Sequence, residues 1–261
     1  MSDEAPSEGG AVELPGGWYL ERRTGDAASL HAAPVRPRRT VRVHSVDRPA
    51  VVLGSTQPLG DVDAAAAQRR GVDVVRRRSG GGAVYLAPGS QVWVDVVVPS
   101  GDPLHDDDVE RAAWWVGAWW AAALAGLGGA GGAGGAGGGG DGRSVSDAFV
   151  VHRSSLGDRA AGRIACFAAL GPGEVATAAD GSSTKVVGIS QRRTRHAARF
   201  QTVAHTRWDA GDLLGLLVPA ASAQVDAALR HRVAPVGGGT DGGGTVDAEL
   251  LLDVLLRTLP A

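Results

Sequence analysis

The 261-residue sequence has one cysteine, one lysine and no asparagine. The lone cysteine, Cys166, excludes an internal disulfide and suits a reducing, cytoplasmic compartment. No apolar run reaches ~18 residues without a charge or a glycine, so no membrane span is expected. Residues 1–10 are acidic and small, with no basic stretch leading into an apolar one, and they do not read as a signal peptide. A net charge of −2 gives no general pull toward nucleic acid or a membrane. Arg76–Arg78 and the arginines of 192–199 lack the interleaved aromatics of a base-stacking surface, so no nucleic acid is expected. No Gly-x-Ser-x-Gly elbow is present, which argues against a serine hydrolase. Twenty-five arginines stand against one lysine, Lys185. Where arginine serves every routine positive charge, the surviving lysine is expected to need a compact ammonium.

What is present is centred on Arg76-Arg77-Arg78-Ser79-Gly80-Gly81-Gly82-Ala83-Val84-Tyr85. The Val-rich run 72–76 predicts a strand before the glycines, and 83–86 predicts one after them. Three glycines let the backbone take positive φ and approach a ligand closely. Their successive N–H groups can converge on an anion. A plain glycine hairpin with solvated arginines is the alternative reading of this stretch.

Further strands are predicted at 17–22, 40–46, 49–54, 91–98, 174–179, 184–193 and 200–208, from alternation and β-branched content. Residues 145–152 read as a strand or a helix start. Helices are predicted at 29–33, 61–70, 109–127, 211–217, 221–230 and 246–259. Trp114, Trp115, Trp119 and Trp120 are expected to form an apolar helix face on the sheet rather than a cofactor box. Clustered strands with a few helices predict an α+β fold with mixed, mainly antiparallel sheets flanked by helices. Residues 1–15 are expected to be a disordered tail. Residues 16–235 are expected to be one domain carrying a Gly/Ala loop at 126–142, and 236–261 a Gly-rich linker with a terminal helix.

Arg77-Arg78-Ser79-Gly80-Gly81-Gly82-Ala83-Val84-Tyr85, followed by Pro88-Gly89, resembles the glycine-rich signature of the lipoate-protein ligase A superfamily, which includes biotin protein ligases and octanoyltransferases. Lys185-Val186-Val187-Gly188-Ile189-Ser190-Gln191-Arg192 is similar to its second signature. The resemblance spans roughly 41–208. It implies the class II biotin/lipoyl synthetase-like catalytic fold. The implied activity is attachment of an octanoyl or lipoyl group to a lysine of a carrier (lipoyl) domain, as in 2-oxo acid dehydrogenases or the glycine cleavage protein. By resemblance, Arg77, Arg78, Ser79, Gly80, Gly81, Gly82, Ala83, Val84 and Tyr85, with Gly188, Ile189 and Ser190, bind substrate or nucleotide. Lys185 sits over the same phosphate or acyl oxygen.

Ala165-Cys166-Phe167 is similar to the nucleophile segment of the octanoyltransferase branch. A thiolate there can accept the acyl group from octanoyl-acyl carrier protein and pass it on, with no obligatory cofactor. A small buried hydrophobe is the other reading of Cys166. An ATP-dependent ligase acting on free lipoate would need ATP and Mg2+, the metal held mainly by phosphate oxygens. No metal cluster is visible in the sequence. Leu86 stands where many relatives have His, Ser90 where ligases have Asn, and the Asn-Asp pair of ligases has no counterpart. These departures weaken the ligase reading and keep a non-catalytic or divergent acyl-binding homologue as a third reading.

Overall fold

The computed structural model describes residues 10–130, 148–179, 182–236 and 246–261. Eleven strands form two sheets. The first strands and helices are β1 (Val12–Leu14), β2 (Trp18–Gly25), α1 (Ala27–Ala32), β3 (Thr40–Val46), β4 (Ala50–Leu53), α2 (Ala64–Arg69) and β5 (Asp73–Arg76). Then come β6 (Val84–Leu86), β7 (Gln91–Pro99), α3 (Trp114–Ala130), β8 (Phe149–Val151), α4 (Arg159–Ile164) and β9 (Val175–Ala179). The chain closes with β10 (Ser182–Arg193), β11 (Ala197–His205), α5 (Ala210–Leu214), α6 (Pro219–His231) and α7 (Ala248–Arg257).

The larger sheet has the order β1-β2-β3-β7-β11-β10-β9-β8, and the smaller one β5-β4-β6. Only β2/β3 and β4/β5 pair in parallel, so the sheets are mixed and mainly antiparallel, as expected. The nearly continuous apolar run of β7 reflects its central place between β3 and β11, buried on both faces.

Two apolar cores result. One lies between the small sheet, α5 and α6, around Val51, Leu53, Leu213 and Leu229. The other lies under α3, whose sequence has no charged residue. The helix buries Val116, Trp119, Trp120, Ala123 and Leu124 and leaves the small residues Ala118 and Ala122 exposed. Trp115 meets Phe200 of the sheet edge to face at 5.9 Å, while Trp119 Nε1 donates to the Leu255 carbonyl of α7 at 2.9 Å. Trp119 and Trp120 are buried in this core and Trp115 packs partly against it, as expected, whereas Trp114 is half-buried with the Arg153 guanidinium 5.3 Å from its ring.

Several expectations are corrected. Val12–Leu14, placed in a disordered tail, pair with β2. Residues 126–130, placed in the Gly/Ala loop, continue α3 despite their three glycines. The rest of that loop, the turn at 180–181 and the Gly-rich stretch 237–244 lie outside the described residues. The terminal helix, set apart as an appendage, buries Leu251, Leu252 and Leu255 in the same core as α3. The helix expected over 61–70 is shorter, because Val62 bridges to Leu217 and Asp63 caps the helix by accepting from Ala66 N. No helix of the described residues is long and apolar enough to cross a membrane.

Candidate active site

The glycine turn between β5 and β6 is stitched to the cysteine segment by close backbone contact. Ala83 N donates to Ile164 O, and Cys166 N donates to Ala83 O, each at 2.9 Å. A Cβ on Gly82 would fall 2.5 Å from Ala165 N, so only glycine permits this approach. Gly81 holds φ +94°, the left-handed region that favours glycine. Among the described residues, the N–H groups of Gly80, Gly81 and Gly82 have no acceptor within the protein. These three N–H groups are free to meet an acceptor from outside the protein.

Arg77 takes a different place from the one implied for it. It is buried, and its guanidinium donates to Val52 O (3.1 Å), Gly80 O (2.7 Å) and Gly82 O (2.9 Å). It braces the turn from behind. Burial pushes its pKa down, against the pull of Cys166 and Glu174. Ser79 is also buried, with Oγ donating to Gln201 Oε1 at 2.9 Å and lying 3.0 Å from Ser190 Oγ.

Cys166 opens a 3₁₀ turn (Cys166–Ala168) at the end of α4 and is half-buried. It lines two spaces. Inside is an apolar cavity of about 30 Å³, bounded by Val84, Trp93, Phe167, Gly188 and Val203, with His31, Arg77 and Gln201 on its wall. That is room for one or two waters. Outside is a groove of about 250 Å³ walled by Gly80, Gly81, Glu174, Ile189 and Ser190. Ser190 lines both spaces too.

Lys185 lies beneath Cys166. A register shift in β10 between Lys185 and Val187 puts the lysine on the face that carries Gly188. Its buried ammonium donates to Cys166 O (2.7 Å) and Ala169 O (3.0 Å), pairs with Glu174 Oε2 at 2.6 Å and lies 3.9 Å from Cys166 Sγ. Glu174 is fixed in turn by Gly171 N (2.7 Å) and Ile189 N (3.0 Å). All three ammonium donors are engaged within the protein, and none points freely at the groove.

The expected residues therefore divide. Arg77, Gly80, Gly81, Val84, Cys166, Gly188, Ile189 and Ser190 border the cavity or the groove, with Lys185 behind Cys166 and Ser79, Gly82 and Ala83 shaping the turn. Arg78 is exposed and lines a separate groove with Arg192. Tyr85 faces another side, with Ser90, His205 and Asp212. Sequence reasoning missed Glu174, His31 and Gln201. A carboxylate in the turn Gly171-Pro172-Gly173-Glu174, ahead of the only lysine, was a signal for the first. Gln201 meets the site through strand register, and His31 through the packing of α1. No group of three or more His, Cys, Asp or Glu is placed to hold a metal ion among the described residues.

The mixed sheet pair has the fold of lipoate-ligase catalytic domains. The chain belongs to the lipoyl protein ligase A/B catalytic domain family, which its residues 28–236 match. Among solved structures it is similar to a bi-partite lipoate protein ligase from Thermoplasma acidophilum, described with its E2 lipoyl domain (19% identity, TM-score 0.60, 89% of this chain and 74% of that one). It is also similar to a lipoate-protein ligase A bound with ATP (19%, TM-score 0.51, 85% and 71%) and to LipL1 of P. falciparum in complex with lipoate (11%, TM-score 0.52, 84% and 46%). No curated protein sequence matches.

Proposed function

We propose that this protein attaches an octanoyl or lipoyl group to a lysine of a lipoyl carrier domain, by way of a thioester on Cys166. The observation that carries this reading is the position of Cys166, which lines both the apolar cavity and the open groove. The Cys166 thiolate attacks the carbonyl of an acyl thioester, such as octanoyl-acyl carrier protein. The donor thiol leaves with a proton, and the acyl chain takes the cavity. The ε-amine of the acceptor lysine then enters by the groove, forms the amide and releases the Cys166 thiol, splitting one transfer into two. The unpaired N–H groups of Gly80–Gly82 are the donors available to the oxyanion of each step. Lys185 acts as a positioning residue that holds the Cys166 carbonyl. A reduced thiol suits a cytoplasmic setting.

A second reading is supported by the same N–H groups. They fit phosphate oxygens as well as an acyl oxyanion, and an ATP-bound lipoate-protein ligase A shares the fold. In that reading ATP supplies the activation of free lipoate as an acyl-adenylate, Mg2+ is held mainly by phosphate oxygens, and Cys166 is dispensable.

Intact-protein mass spectrometry separates the readings. A hydroxylamine-sensitive octanoyl adduct from octanoyl-acyl carrier protein alone, lost in Cys166→Ser, supports the transferase. Lipoylation of an added lipoyl domain only with lipoate, ATP and magnesium, unaffected by Cys166→Ser, supports the ligase. Neither product from folded protein leaves a non-catalytic, acyl-binding homologue.

A further inference from the structure

The strand that carries Lys185 outruns its neighbour on one side. β9 pairs with β10 as far as Val187 opposite Val175, while β10 continues to Arg193. On its other side β10 stays paired with β11, and the hairpin closes with Thr194 N donating to Ala197 O at 2.9 Å. Bonded and non-bonded pairs alternate along an antiparallel ladder. Counted back from Thr194 and Ala197, Arg192 and Ser190 bond to β11, whereas Arg193, Gln191 and Ile189 turn their N–H and C=O groups outward. Ile189 N agrees, since it donates to Glu174 Oε1 at 3.0 Å. Among the described residues, Gln191 N–H and the carbonyls of Ile189 and Gln191 have no partner. The Gln191 side-chain amide is unsatisfied as well, its Nε2 and Oε1 both buried without a hydrogen bond.

Ile189 and Gln191 line the groove at Cys166, together with Gly80 and Gly81 and their unpaired N–H groups. An open strand edge is a template for another extended chain bearing amides. We propose that the β10 edge at Ile189 and Gln191 binds the amide-bearing arm of the acyl donor, a pantetheine thioester. The arm begins at the thioester sulfur, so it leaves Cys166 along the groove. Each of its secondary amides offers one N–H and one C=O, the complement of what Gln191 leaves open on its backbone and again on its side chain. Its stretch between sulfur and the second amide is unbranched, and Gly80, Gly81, Gly162, Ala169 and Gly171 make much of the wall bare backbone. A peptide segment of the acceptor would bring side chains into a groove of about 250 Å³. The inference rests on the thioester reading above and adds how the donor is recognised.

Octanoyl thioesters of pantetheine, N-acetylcysteamine and 2-mercaptoethanol, which carry two, one and no amides, test it on the full chain. The rate of Cys166 adduct formation, followed by intact-protein mass spectrometry, is expected to fall about 5-fold for each amide removed. Gln191→Pro withdraws the edge N–H without breaking a bond to β11, and Gln191→Leu withdraws the side-chain amide. Each should lower the pantetheine-to-mercaptoethanol rate ratio about 5-fold. N-methylation of the pantetheine amide nearer the sulfur should lower it likewise in the wild-type protein, which keeps the test should the proline variant fail to fold. Equal rates for the three esters, or a ratio that the Gln191 variants leave intact, overturns this inference alone. A loss confined to transfer onto the acceptor lysine also overturns it, and assigns the edge to the acceptor instead. No adduct from any ester overturns the thioester reading together with it.

Discussion

The ammonium of Lys185 holds the carbonyl oxygen of Cys166 at 2.7 Å while its other donors go to Glu174 and Ala169. The lysine and its carboxylate partner thus set the conformation of the cysteine segment from below. Lys185→Met leaves Glu174 buried without its cation, and breaking a buried pair in this way costs about 3–5 kcal/mol. The double variant Lys185→Met/Glu174→Leu should recover much of that loss in denaturant unfolding, yet remain unable to form the Cys166 adduct. A single variant as stable as wild type would refute the structural role.

Three neighbouring glycines should respond differently to alanine. At Gly82 a Cβ would meet Ala165 N at 2.5 Å and Ile164 C at 2.6 Å, both backbone. Gly82→Ala should therefore cost about 1–3 kcal/mol and move Cys166 away from the turn. Gly81→Ala is strained by its φ of +94° and by Arg77 Nη2 at 2.9 Å. Gly80 has nothing within 4 Å of a new Cβ, so Gly80→Ala should leave the melting temperature nearly unchanged. Paired melting curves and adduct yields distinguish the three.

Adjacent arginines should behave oppositely. Arg77→Met strips three backbone carbonyls of their donor and should destabilise by about 3 kcal/mol or more. Arg78→Ala, at an exposed position, should fall within about 0.5 kcal/mol of wild type. Equal urea midpoints for the two variants would contradict the assignment of Arg77 as the brace.

Stability should fall in acid well before the carboxylates titrate. Burial pushes His31 and His205 down to about 3 and also lowers His44. Between the ordinary histidine value of about 6.5 and about 3, the unfolded chain takes up protons that the folded chain refuses. Each depressed histidine thus contributes stability that is complete above about pH 6.5 and is lost at about 1.4 kcal/mol per pH unit below it. For Asp95, burial alone raises the pKa, but Arg199 and His44 together hold it well below the usual range. Its contribution persists through this window and fades only in stronger acid. Urea midpoints measured from pH 7 to pH 4 should show the slope, and His205→Leu should flatten it.

Much of the fold was legible locally. β3 has the bounds that its alternation predicts, with Val41 and Val43 in one core while Arg42 and His44 are buried as well. The glycine turn and its flanking strands were readable from Gly, Val and Arg alone. The start of α3 was misplaced, because Arg111–Ala113 form a 3₁₀ turn that composition does not separate from helix. The partnership of Cys166 with Lys185 was legible through resemblance, but its geometry was not. It depends on a one-residue register shift in β10. Gln201 reaches Ser79 because Ser190 pairs with Gln201 across two strands, and no spacing in the sequence encodes that pairing. Arg77 looked like a ligand residue for the same reason, since its three acceptors come together only after folding.

The apolar surface of α3 also sets an order of assembly. Trp119 donates to a carbonyl 136 residues further along the chain, so one flank of the helix stays bare until α7 has been synthesised. During synthesis the sheet can cover only the other flank. Contacts this distant in sequence form late and slowly, and a bare tryptophan-rich helix is a target for chaperones and for aggregation in the interval. Final folding of this core therefore waits on α7.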